Sequence, residues 1–215
     1  MAANLLSIIN DSLYDIGGDV ITTLGNNRQG LVASRCFRDA VINVCGHASW
    51  SWMKRIIAAE SWANEVATIS ENAVEVLMVR VGNRKIGAIS DHDMYGGERE
   101  LTPYLTGSSS FPMWYAKVGH RQYAFNPYPN DTTSRNAVLF HVRMLPSITL
   151  ADDFEPDIPA DVLILVRYYM SGLLAMKLTG ESNVSQNFMQ LYQENLVQTQ
   201  SRYTFENSAN SDAIW

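Results

Sequence analysis

The four histidines, His47, His92, His120 and His141, are the side chains best suited to proton transfer or metal binding near neutral pH. They fall on separate predicted elements, with no partner at ligand spacing. Asp91-His92-Asp93 is the one local cluster that could hold a metal. It lies in a Gly-rich stretch, where a solvated turn accounts for the same residues. The acidic run Asp152, Asp153, Glu155, Asp157, Asp161 could mimic a calcium loop. It lacks the Gly and the closing Glu of an EF-hand, and carboxylates before a helix are favoured by the helix dipole. The chain has no GxSxG elbow, no GxxxxGK[ST] phosphate loop, no GxGxxG after a strand and no HExxH. The expectation is therefore a protein that is not an enzyme, with no catalytic residues, no metal and no cofactor.

Cys36 and Cys45 lie nine residues apart on one predicted helix. That spacing puts them on opposite faces and roughly 13 Å apart along the axis, so they cannot bond to each other. Buried structural thiols are expected.

A chain of 215 residues is long enough to bury a full core. Its formal charge of −6, from 16 basic and 22 acidic residues, argues against wrapping nucleic acid through its phosphates. DNA that merely passes the protein is compatible with that charge. No basic segment precedes an apolar one at the N-terminus, so no secretory signal is expected and the cytoplasm is the expected place of synthesis.

The element that must organise the fold is a helix from Pro159 to Leu178. Val162, Leu165, Val166, Met170, Leu173 and Leu174 belong to an apolar set too broad for one stripe, the pattern of a helix buried on several sides. Arg167 and Lys177 interrupt the run and argue against a membrane span. Gly180 supplies a left-handed cap. Towards the N-terminus, Leu5, Ile9, Leu13 and Ile16 recur at helical spacing, and a second helix spans about Gln29 to Ala48. Trp50 and Trp52 suit a strand leaving that helix. From Lys54 to Leu145 the period changes to two. Strands are expected over 74–81, 84–89, 113–118, 121–125 and 137–145, with a long loop from Ser90 to Ser110. A last amphipathic helix runs to about Gln200. The expected fold class is α+β: residues 1–53 and 146–200 form a helical bundle, 54–145 a β-rich insertion, and 201–215 an extended tail.

Two patterns resemble a known family. The stretch Ile9-Asn-Asp-Ser-Leu-Tyr-Asp-Ile-Gly17, followed by Val20-Ile-Thr-Thr-Leu24 and Trp50-Ser-Trp52, resembles the start of the tubular tail protein A family, the head-to-tail adaptors of short-tailed bacteriophages. Phe111-Pro-Met-Trp-Tyr115, Asn126-Pro127, Leu150-Ala-Asp-Asp153, Ile158-Pro159 and Leu173-Leu-Ala-Met-Lys-Leu178 are similar to the second half of such adaptors. The resemblance implies a virion protein of the viral tail, made in the host cytoplasm. It implies a dodecameric ring of identical copies between the portal protein and the tail nozzle protein, with tail fibres as a further partner. Double-stranded DNA would pass through its lumen without sequence-specific binding, and no membrane is involved.

The tail from Ser201 to Trp215 is polar but carries Tyr203, Phe205, Ile214 and Trp215. Large apolar side chains give no stability until they are buried, so these four are the expected partner-binding residues. The alternative function is a ligand- or carbohydrate-binding module on the β-rich insertion, built from Trp114, Tyr115, Tyr123 and Tyr128. Exposed coplanar rings favour that module, whereas buried rings favour the adaptor. A hydrolase would need a pocket joining His92 to the acidic run.

Overall fold

The computed structural model describes residues 4–25, 28–48, 50–63, 66–92 and 112–211, with side chains in the last helix described as far as Tyr203. The chain is mixed α+β and divides into two compact units. Residues 1–52 and 146–215 form a helical unit, and residues 53–145 form a β unit.

In the helical unit, α1 spans Leu5–Asp15 and α2 spans Arg28–His47. Asn4 caps α1 by accepting a hydrogen bond from the Ser7 amide at 2.9 Å. After the irregular stretch that ends at Pro159, α4 begins at Ala160 and runs to Leu174. It packs against α1, α2 and the final helix α5, Ser182–Ser211. Val162, Leu165, Val166, Met170 and Leu174 are wholly buried, as the breadth of the apolar run requires. Among the described residues, Ala160–Thr179 is the only stretch long and apolar enough to suit a membrane span, and here three helices cover it. Its last turn, Ala175–Thr179, widens to a π-helix, and Gly180 closes it at φ 72°.

Two side-chain clamps hold the connections of this unit. Asn10 donates to the Ile21 carbonyl and accepts from the Ile21 amide, both at 2.9 Å, which fixes the chain after α1. Arg167 on α4 forks onto Asp15 of α1 at 2.7 and 2.8 Å and reaches Asp11 at 3.3 Å. The Asp15 hydrogen bond, the largest influence, keeps the guanidinium charged against the opposing cost of burial. Arg167 is thus an inter-helix tie set in the apolar run. Cys36 and Cys45 are both buried thiols that form no disulfide. Burial pushes the Cys36 thiol up, opposed by nearby Lys177.

The β unit contains β1 (Lys54–Ile57), β2 (Ser61–Ala63), β3 (Val66–Thr68), β4 (Ala73–Val81), β5 (Arg84–Lys85), β6 (Gly87–Ala88), β7 (Trp114–Gly119), β8 (Gln122–Asn126) and β9 (Val138–Met144). One sheet has the order β1-β9-β4-β5 and the other β2-β3-β8-β7-β6. All described pairings are antiparallel except β6 with β7. Alternation decides the faces: Val138, Phe140 and Val142 of β9 enter a core shared with Val79, Tyr123 and Phe125. A short helix, α3 (Thr132–Asn136), precedes β9. Its cap Asp131 accepts from the Ser134 amide and hydroxyl at 2.7 and 2.9 Å, and these bonds hold its carboxyl below the usual range.

Three expectations need correction. Trp50 and Trp52 do not lie on a strand, because Ser51–Met53 is a 3-10 turn and the first strand starts at Lys54. Trp50 is 1% exposed and donates its indole N–H to the Val44 carbonyl at 3.0 Å, which turns the chain back onto α2 instead of extending it. The chain beyond Ser201 is not extended as far as Ser211, since α5 continues through it. No Gly or Pro interrupts residues 201–211, and polar residues on an outer helix face are tolerated. The expected strand at 84–89 is two short pieces, β5 and β6, which belong to different sheets. The loop from Ser90 to Ser110 falls, from Asp93 onward, outside the described residues.

Candidate functional site

Of the four residues expected to bind partners, Tyr203 is placed within its own unit. Its hydroxyl donates to Asp161 Oδ1 at 2.9 Å, and its ring meets Trp50 edge-on at 5.4 Å between centroids. α5 carries it there because Tyr192, Leu196, Thr199 and Tyr203 recur at spacings of four, three and four, which keeps them on one helix face. Tyr192, Leu196 and Thr199 are buried. Phe205, Ile214 and Trp215 lie outside the residues whose side chains are described.

The acidic run divides into two roles. Asp152 and Asp161 are structural: Asp152 Oδ1 accepts from the Leu24 amide at 2.9 Å, and Asp161 Oδ1 accepts from the Val162 amide at 3.0 Å as well as from Tyr203. The backbone beside Asp152 serves α1 too. The Asp152 and Phe154 carbonyls accept from Leu6 and Leu5 at 3.2 and 2.7 Å, which satisfies two amides of the first turn. Asp153, Glu155 and Asp157 are exposed, and they alternate with half-buried Phe154, Pro156 and Ile158. Asp91 and His92 are exposed, and Asp93 lies outside the described residues. Among the described residues no group of three His, Cys, Asp or Glu side chains is placed to hold a metal.

The aromatic residues of the β unit do not make an open platform. Tyr123 and Phe125 are 6% and 5% exposed, and the rings of Tyr115 and Tyr123 are tilted at 52° to one another. Burial pushes both phenols up. Trp114 lies against the α-carbon of Gly87. Tyr128 is engaged by Arg135, which donates to its hydroxyl at 2.7 Å, sits 5.2 Å from its ring centre and also donates to the Pro129 carbonyl. These side chains pack a core and its rim.

A cleft of about 450 Å³ opens in the helical unit where Gly17-Gly18, the start of α2 and the end of the π turn meet. Arg28 and Lys177 line it together with Asp19. Lys177 also pairs with Asp39 at 3.7 Å.

The outer face of the four-stranded sheet is more distinctive. Leu139, His141 and Arg143 point away from the core that holds Val138, Phe140 and Val142. The register aligns Lys54, Arg143 and Glu75 in one cross-strand row, Ile56, His141 and Met78 in the next, and Leu139, Arg80 and Lys85 in the third. Lys54, Ile56 and Lys85 are exposed, and Glu75 is tied to Arg143 at 3.5 Å. Sequence period predicted β4 and β9, but only the register shows which residues of β1, β5 and these two strands share the outer face.

His141 in the middle row is held below its usual value of 6.5, first by burial and then by Arg80. Its Nε2 is buried without a hydrogen-bond partner among the described residues. A depressed folded value means that this contribution to stability is complete above about pH 6.5 and is lost as the pH falls through the folded value. A His141→Gln variant is expected to lose less stability between pH 7 and pH 5 than the parent protein. Urea unfolding at the two pH values checks this, and equal losses would show that His141 does not titrate differently on folding.

No protein-family model matches the chain, and no curated protein matches it.

Proposed function

We propose that this chain is a structural head-to-tail adaptor of a short-tailed phage. Copies of it would assemble into a ring of about twelve that joins the portal protein to the tail nozzle protein, with the genome passing through the lumen. A helical bundle drawn from both ends of the chain would form one layer of that ring and the β unit another. Phe205, Ile214 and Trp215 are assigned to contacts with a neighbour or the portal.

The observation that carries this reading, beside the sequence resemblance, is the apolar surface of the helical unit. Tyr14 is 78% exposed and Val197 68%, and Leu31, Ile42, Ile164 and Met176 are each about half exposed. In a ring, neighbouring copies would cover these side chains. The excess of carboxylates suits a conduit that repels phosphates and lets DNA slide. The tilted and buried aromatic rings do not favour the carbohydrate-binding alternative.

The test is the mass of the assembly in solution, by native mass spectrometry and light scattering, with and without a purified portal ring. A closed ring that binds the portal end-on is the expected result. A protein that stays monomeric at all concentrations and ignores the portal would end the proposal.

A further inference from the structure

We propose that the outer face of α2 binds the phosphate backbone of double-stranded DNA through Arg28, Arg35 and Arg38. That this DNA is the passing genome rests on the adaptor reading above, whereas the phosphate contact itself does not.

The three arginines belong to one stripe. Arg28, Leu31, Arg35, Arg38 and Ile42 follow one another at spacings of three, four, three and four, which keeps them within about 80° of one another around the helix. All five are exposed. Ala33, Phe37, Val41 and Val44 on the opposite side of α2 are wholly buried, and the helices it packs against, α1 and α4, belong to the same unit. Thirteen of the 22 acidic residues but only six of the 16 basic ones lie in that unit, so a stripe with three cations and no carboxylate runs against its balance. Arg167 and Lys177, two of the other cations, are tied to carboxylates: Arg167 to Asp11 and Asp15, and Lys177 to Asp39, which borders the stripe. Arg28, Arg35 and Arg38 have no hydrogen bond, ion pair or ring contact among the described residues.

Charge density decides the class of partner. From Arg28 to Arg38 the helix rises about 15 Å at ~1.5 Å per residue. Over that length duplex DNA carries about nine phosphates, one per ~1.7 Å of its axis, so three guanidinium groups on one helix face all find phosphate oxygens. The planar fork of arginine matches those oxygens in pairs. A protein surface of mixed sign offers carboxylates at a lower density. Contacts of this kind fix position without reading bases, so the binding is independent of sequence. The net charge of −6 keeps it weak and confined to low salt.

Fluorescence anisotropy of the full chain with a labelled duplex of about 20 base pairs, between about 25 and about 200 mM salt, tests this. Three phosphate contacts predict a slope of log affinity against log salt of about −2.7. Arg35→Gln with Arg38→Gln is expected to weaken binding about tenfold or more at about 50 mM salt and to bring the slope to about −0.9. Glutamine forms helix nearly as well as arginine, so thermal unfolding should stay where it is in the parent. Arg35→Lys with Arg38→Lys should keep the slope, and Arg84→Gln, an exposed position in the β unit, should leave binding as it is. A parent chain that does not bind the duplex at low salt, or binding unchanged in the double glutamine variant, would overturn the contact. So would polyglutamate that competes as well as the duplex at equal charge, which would assign the face to an acidic protein instead. Duplex binding through these arginines by a chain that stays monomeric and ignores the portal would end the adaptor reading and leave the contact standing. A ring that binds the portal but not the duplex would do the reverse.

Discussion

Replacing Trp50 with alanine is expected to destabilise the protein by about 3–5 kcal/mol, the range for removing a large buried aromatic side chain. Trp50 is 1% exposed, and its ring fills the space between the end of α2 and Tyr203 of α5. Its N–H also satisfies the Val44 carbonyl, which closes the last turns of α2. The alanine variant loses apolar area, an edge-on ring contact and a hydrogen bond together. Trp50→Phe keeps most of the area but drops the donor, and a loss of about 1–2 kcal/mol is expected. Urea unfolding of both variants separates the contributions. An alanine variant within 1 kcal/mol of the parent would show that the helical unit repacks around the gap.

The second large effect is expected at Gly30. A Cβ built there would stand 2.5 Å from the Leu24 carbonyl oxygen and about 3 Å from two further backbone atoms of the same residue. Backbone cannot swing aside as a side-chain end can. It is also held from the other side, because the Leu24 amide donates to Asp152. Gly30→Val should therefore cost about 1–3 kcal/mol as overpacking, although valine is acceptable on an exposed helix. Part of that cost should be shared with Asp152→Asn, since both changes act on the Leu24 backbone, so the double variant is expected to lose less than the two single losses added. Strict additivity would show that the Leu24–Asp152 hydrogen bond and the close approach are independent.

Much of the helical unit was legible because its signals are local. The apolar breadth of residues 162–174 and the left-handed Gly180 both follow from residue type and spacing. The end of α5 was misread because Ser, Asn and Glu beyond Gln200 dilute the apolar pattern. Thr199 and Tyr203 continue the stripe of Tyr192 and Leu196, and counting a buried Thr as part of it would have extended the helix. The β unit was legible only where strands are long. β1 is Lys-Arg-Ile-Ile with three of its four residues exposed, so it has no alternation to detect. β2 and β3 have three residues each and exist because β8 pairs with β3. α3 reads as a turn because it is five polar residues fixed by one carboxylate. The rows across the outer face were not legible, since Lys54, Glu75 and Arg143 lie far apart in sequence and only register brings them together.

The pairing of Lys54 with Arg143 has a kinetic consequence. The β unit leaves and rejoins the helical unit through neighbouring antiparallel strands, so its formation ties off a loop of about 90 residues inside the other unit. Closing such a loop in an unstructured chain costs about 4 kcal/mol of entropy, by the logarithmic dependence on length. Once β1 and β9 are zipped, α2 and α4 behave as if joined by a short linker, and their docking becomes a local event. The β unit should therefore act as a clasp whose early closure speeds assembly of the helices on either side of it.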